Sequence, residues 1–415
     1  MTVHRTARRA ALMALALLGS AAAAAAAPPP ADDEAVYRQR LAAFVKDPGN
    51  FAYSPMEPLA GTAHWRPLPV SRHPAIPAAT LAEAEAYARS MRSSAFLVWR
   101  GGKMEHAWYG AGAGPTTPMV SKSLSKPLAA IAVGRAIALG KIASLDQPIA
   151  DFLPELKGTQ KGRILLRYLL DMRSGMLHQG FSPDPQNAYN RAFLDVDFGR
   201  RIVEDYPMIG EPGTLYSYAN APADLIALVL ERATGRRYGE FVSNEVLRPL
   251  GAQGGEIWVG KPGGLAHSGC CATLPAETFL RLAILLLDDG MWHGKRLLPD
   301  GYVTQMRTGT PQNPSFGLGV WLGTPYLQRR SFGAPGQLGP KVLHSQPYLD
   351  PGMFLFDGNS NQTVQISPEN RLIVLRMGPT PPPPSPDGSG EWDNSMLPNM
   401  LIRGLAKGAA APKVR

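Results

Sequence analysis

Cysteine is almost missing from this chain: there are two in 415 residues, and they are neighbours, Cys270 and Cys271. Two adjacent cysteines cannot staple distant parts of a fold. A bond between them would close a strained ring, so two buried thiols are expected. With 45% apolar residues the chain can bury a core that needs no staple. Metal-ligand patterns are missing too. The eight histidines are dispersed, with no His-x-x-x-His pair and no carboxylate-flanked cluster, so no metal centre is expected. The glycine-rich stretch GAGAG at 110–114 is not followed by Gly-Lys-Ser/Thr and makes no phosphate cradle. Gly-x-Ser-x-Gly does not occur, which removes a strand–turn–helix nucleophile elbow. No 20–50-residue repeat is visible, and no basic block or aromatic-interleaved basic stripe suggests a nucleic-acid partner.

The one long apolar run lies near the start. Arg5, Arg8 and Arg9 precede Ala10–Leu18, and an alanine tract then leads into three prolines. A charged segment, a short apolar segment and an Ala-x-Ala-like site describe a secretory signal peptide over residues 1–27. The run is too short to span a bilayer. An exported protein, periplasmic or secreted and without stable membrane insertion, is therefore expected. Its net charge falls from +9 to about +6 once the three arginines leave.

Residues 28–79, rich in Pro and Ala, suggest an irregular leader, and the main domain is expected over 80–408. TLAEAEAYARS predicts a helix with Thr80 as N-cap and Glu83 completing a capping box. Two strand-like segments then meet at Gly101-Gly102, a hairpin signal. The middle is mostly helical by pattern, with an all-helical subdomain expected at roughly 141–290. APADLIALVLERATG within it has helical apolar spacing and a C-cap glycine, Gly235. Strand character returns at 316–323, 352–358, 362–367 and 371–378, with Pro-Glu-Asn at 368–370 turning the last hairpin. The proline-rich 379–390 suggests a stiff exposed loop, followed by a closing helix. Strands at both ends around a helical middle imply an α+β fold: an antiparallel β-sheet flanked by helices.

Chemistry concentrates in MVSKSLSKPLAAIAVG, residues 119–134. Ser123 is followed by Lys126 at i+3, the chain's one Ser-x-x-Lys. On a helix these positions share a face, so the lysine can reach back to the hydroxyl. Pro127 is tolerated there because the first helical turn has no hydrogen bond to lose. The chain's one Tyr-x-Asn, Tyr218-Ala219-Asn220, precedes a buried helix. A phenol beside ammonium groups is driven toward the phenolate and can carry a proton, and the Asn220 amide can orient a substrate carbonyl.

These motifs, their order, and the stretches LLRYLLDMRSGM and GMWHGKRLLP resemble the serine β-lactamase and penicillin-binding-protein superfamily over roughly residues 85–380, on its class C side. Related esterases and 6-aminohexanoate-dimer-hydrolase-like amidases belong there too. The resemblance implies a β-lactamase/transpeptidase-like fold and no cofactor. Ser123 would be the acyl-enzyme nucleophile, Lys126 its activator and Tyr218 the proton shuttle, with Asn220 orienting substrate. The oxyanion hole would be the N–H groups of Ser123 and Asn359. The family's third motif, Lys- or His-x-Gly, is matched only by Phe356-Asp357-Gly358: Gly358 leaves room for substrate, and Phe356 stands where the cation should be. GAPGQLG at 333–339 is an alternative position, also without lysine. A phenyl ring cannot bind a carboxylate, so hydrolysis of a small ester or amide is expected over β-lactam turnover. Open alternatives are a β-lactamase, a D-Ala-D-Ala carboxypeptidase, and a non-turnover sensor on the same fold.

Overall fold

The computed structural model describes residues 32–333 and 341–410. The expected signal peptide lies outside them, as does nearly all of GAPGQLG. Two antiparallel sheets organise the chain. The larger has six strands in the order Lys103–Tyr109, Ala95–Arg100, Leu372–Met377, Gln362–Ser367, Phe354–Gly358 and Trp321–Leu322. Its strands Ala95–Arg100 and Leu372–Met377 are apolar at every position but one because both faces are covered. Phe96, Val98, Leu372 and Val374 pack against the helices Ala78–Ser90 and Met396–Ala410. Leu97, Trp99, Ile373 and Leu375, one residue out of phase, join the main core with the helices Ser125–Ala138 and Ala276–Leu287. The Gly101-Gly102 hairpin and the final hairpin form where their turn residues predict.

The smaller sheet has four strands: Met56–Leu59, Gly255–Trp258, Ala272–Pro275 and Pro118–Val120. Two of these fall inside the stretch expected to be all helical. They are short, and they pair with segments far away in the chain, so no local periodicity marks them. The expected irregular leader likewise carries structure: the helix Asp33–Lys46 and the strand Met56–Leu59. Tyr37, Leu41 and Phe51 of this region are buried in the main core. Thr80 is not an N-cap; its helix begins at Ala78, after Pro77, with no side-chain cap. Of the expected strand 316–323 only Trp321–Leu322 forms. Cys270 and Cys271 are joined as a disulfide, where two thiols were expected. Among the described residues no helix is long and apolar enough to cross a membrane.

Candidate active site

The strand Pro118–Val120 delivers the chain into a 3₁₀ turn, Lys122–Leu124, that runs straight into the helix Ser125–Ala138. Lys122 adopts a left-handed φ of 49°, an uncommon conformation for a residue with a side chain, and it makes a sharp corner immediately before Ser123. The three serines of this corner separate by environment. Ser121 and Ser125 are buried and hydrogen-bonded to each other at 2.7 Å. Ser121 Oγ also accepts the Ala272 N–H at 2.9 Å, tying the corner to the smaller sheet. Ser123 alone remains partly exposed and lines a cleft of about 220 Å³.

Lys126, one turn on, is buried, and its Nζ has three partners. These are Asn220 Oδ1 at 2.6 Å, the Gly269 carbonyl at 2.9 Å and Ser123 Oγ at 3.2 Å. The first two can only accept. A neutral amine therefore spends both N–H groups on them and turns its lone pair toward the Ser123 hydroxyl. Burial makes that neutral form accessible. It pulls the ammonium down to about 7, opposed by the buried Asp224 carboxylate. Asp224 Oδ1 accepts the Gly269 N–H at 2.7 Å, so the same carboxylate also fixes the residue whose carbonyl holds the lysine. Its Oδ2 lies 3.2 Å from His267 Nδ1, with the ring sandwiched between Phe198 and Trp258.

Tyr218 lies in the loop before the helix Asn220–Thr234 and lines the same cleft as Ser123. Its phenol is raised well above the usual tyrosine range, chiefly by burial, although the Ser123 hydroxyl and Arg330 pull the other way. The expectation that neighbouring ammonium groups favour a phenolate is thus reversed. Lys126 Nζ sits over the ring, 4.9 Å from its centre. Asn220 is also differently engaged: Oδ1 serves Lys126 while Nδ2 donates to Tyr189 Oη at 3.2 Å. The amide oxygen is thus taken up within the protein, while Nδ2 keeps a second N–H in a side chain that lines the cleft.

Gly358 closes the back of the site. A Cβ there would stand 3.1 Å from Ser123 N and 3.0 Å from Leu124 Cδ1, so glycine lets this strand lie against the Ser123 turn without displacing it. Asn359 follows at the exposed rim and lines the cleft with Ser123. Phe356 does not reach the cleft. It is fully buried in the main core, two positions inward from Gly358 on the same face of the strand. It therefore fills space behind the site, and the specificity role expected for it is withdrawn. Asp357, on the opposite face, pairs with Arg330 and accepts from Asn394.

The cleft walls were not apparent from motifs. Phe44, from the expected leader, stacks on Phe181 with centroids 4.1 Å apart, and Phe181 meets Tyr189 edge-on at 4.7 Å. Gln179 adds a polar side chain to the same cleft. These aromatics come from separate segments, and no local pattern distinguishes them from core residues.

A family model described as Beta-lactamase matches residues 78–392. The 6-aminohexanoate-dimer hydrolase of Paenarthrobacter ureafaciens is 29% identical over 228 residues, which cover 52% of this chain and 57% of that protein. Esterase EstB of Burkholderia gladioli is 31% identical over 145 residues, 31% of this chain and 36% of that one. The chain thus spans little more than half, or less, of these curated relatives. Among solved structures, a candidate 6-aminohexanoate-dimer hydrolase from Bacillus anthracis superposes with a TM-score of 0.64 at 17% identity, covering 87% of this chain and 93% of that chain. The hydrolase EstCE1 gives 0.55 at 19%, covering 79% and 98%. At such identities the likeness is one of fold: antiparallel sheets flanked by helices in a β-lactamase/transpeptidase-like arrangement.

Proposed function

The chain belongs to the beta-lactamase family, and within it we propose a serine hydrolase that cleaves a small ester or amide through an acyl-serine intermediate. The observation that carries this is the single partly exposed serine of the corner, Ser123, set 3.2 Å from the amine of a lysine that burial holds near neutrality. Neutral Lys126 takes the Ser123 proton as Oγ attacks the carbonyl carbon. The negative charge that develops on the carbonyl oxygen is met by the N–H groups of Ser123 and Asn359. Tyr218, kept protonated by burial, relays a proton to the departing oxygen or nitrogen. Water then attacks the acyl-serine by the reverse path, and Ser123 regains its proton. Asn220 orients Lys126 in this scheme through Oδ1 and offers its second Nδ2–H to the substrate carbonyl.

The preference for esters or amides draws support from the aromatic cleft, which suits an apolar acyl or leaving group, and from the likeness to a 6-aminohexanoate-dimer hydrolase and an esterase. Phe356 no longer contributes to it. The Tyr218-Ala219-Asn220 pairing supports the class C side of the family. Export to the periplasm or beyond belongs to the same proposal and rests on residues 1–27.

The test is hydrolysis of p-nitrophenyl butyrate and of a chromogenic cephalosporin by the wild-type chain and Ser123→Ala, with intact-protein mass spectrometry for the acyl adduct. Ester turnover that Ser123→Ala abolishes, with an adduct on Ser123, is the expected result. Cephalosporin turnover at a higher kcat/KM than the ester would replace the ester reading by a β-lactamase. An adduct that forms but never clears would replace it by a sensor.

A further inference from the structure

Lys122, the second lysine of the corner, has no part in the acyl-transfer scheme, yet its position is unusual. It is 8% exposed, and its Nζ donates to Tyr53 Oη at 3.1 Å and, more weakly, to the Gly49 carbonyl at 3.4 Å. Both partners are neutral, and one of the three ammonium donors is left over. Among the described residues no carboxylate pairs with it, and burial lowers its pKa with nothing opposing. A buried cation without an anion is costly, and buried charges are as a rule paired. Of the other buried cations nearby, Arg330 has Asp357, while Arg376 and Lys126 spend their donors on hydroxyl, amide and backbone oxygens.

Lys122 and Tyr53 also form the boundary between two clefts. On one side is the aromatic cleft that holds Ser123. On the other is a larger one, about 370 Å³, into which Asn50, Ser94, Gln362 and Thr380 bring polar groups. We propose that Lys122 is an anion-recognition residue, and that the substrate is an amphiphile whose apolar part lies in the aromatic cleft while a carboxylate reaches across to Lys122 in the polar one. Lys122 thereby supplies, from the residue before the nucleophile, the positive charge that the Phe356-Asp357-Gly358 strand lacks. The inference names the substrate class for the hydrolase reading and rests on it for the reaction, though not for binding.

The test is made on binding so that the two can fail separately. 4-Phenylbutyrate and its neutral amide, 4-phenylbutanamide, are titrated calorimetrically into the full chain carrying Ser123→Ala, which removes turnover. A charge-assisted hydrogen bond in a buried site predicts that the carboxylate binds at least about tenfold more tightly than the amide. That advantage is expected to disappear when Lys122→Gln is added, and Lys122→Met, which keeps the stem and its packing, is the second variant. Equal affinities with Lys122 intact, binding of neither ligand, or an advantage that survives both substitutions overturns the proposal. The first comparison changes nothing at position 122, so it decides even if both variants fail to fold. Loss of ester turnover in the earlier assay, with the carboxylate advantage intact, would instead remove the hydrolase reading alone.

Discussion

Asp224 holds Lys126 through a single residue: its Oδ1 takes the Gly269 N–H at 2.7 Å, and the Gly269 carbonyl takes a lysine N–H at 2.9 Å. The carboxylate therefore both places the amine and raises its proton affinity against burial. Because the neutral amine is the reactive form, kcat/KM should fall as pH drops through about 7, where Lys126 becomes protonated. Asp224→Asn removes the charge and keeps the hydrogen-bonding shape. Its ammonium is less stabilised, so the acid limb should move to lower pH, by roughly half a unit to one unit. A pH–rate profile of both proteins checks this; a limb that stays in place or moves upward would reject Lys126 as the base.

Gly358 tests how closely the strand must approach. A methyl group there meets Ser123 N at 3.1 Å and the Ser121 carbonyl at 3.3 Å. Its φ of −130° suits any residue, so backbone strain is not involved. Gly358→Ala should therefore displace the nucleophile turn by a few tenths of an ångström. The expected loss in kcat is about 10- to 100-fold with a smaller change in KM, since misplacement acts on the reacting geometry. Near-wild-type kcat would mean that the turn and strand need not touch.

Phe356 and Phe181 should divide stability from specificity. Phe356→Leu alters only the core, and is expected to cost about 1–2 kcal/mol in denaturant unfolding while leaving the ranking of p-nitrophenyl acyl chain lengths unchanged. Phe181 is 41% exposed and lines the cleft. Phe181→Ala should cost little stability and shift the preference among acyl chains several-fold, because one wall of an apolar pocket is worth about 1–3 kcal/mol of discrimination. The opposite assignment of effects would return Phe356 to the site.

What was legible in the sequence was whatever depends on near neighbours. The helix Asn220–Thr234 shows its apolar stripe and its left-handed cap at Gly235, φ 69°. The final hairpin shows two strand-like runs with a turn between. Ser123 and Lys126 are one helical turn apart, so their meeting follows from the 3.6-residue period alone. The strands Gly255–Trp258 and Ala272–Pro275 were hidden for the opposite reason. They are four residues each and owe their pairing to Met56–Leu59 and Pro118–Val120, some 150 to 200 residues away in the chain.

The sequence by itself determined the family and the identity of the serine with a lysine one turn beyond it, because each is written in spacing and local pattern. Only the tertiary structure decided what those groups are chemically. Burial, set by residues from every part of the chain, brings Lys126 down to about 7 and keeps Tyr218 protonated, the reverse of the phenolate that a list of neighbouring charges suggests. Strand position sends Phe356 into the core. Long-range packing brings Phe44 from the expected leader to the cleft wall and leaves Lys122 buried between two clefts without an anion among the described residues. Solvent exclusion and orientation are properties of the assembled fold, and no window of sequence contains them.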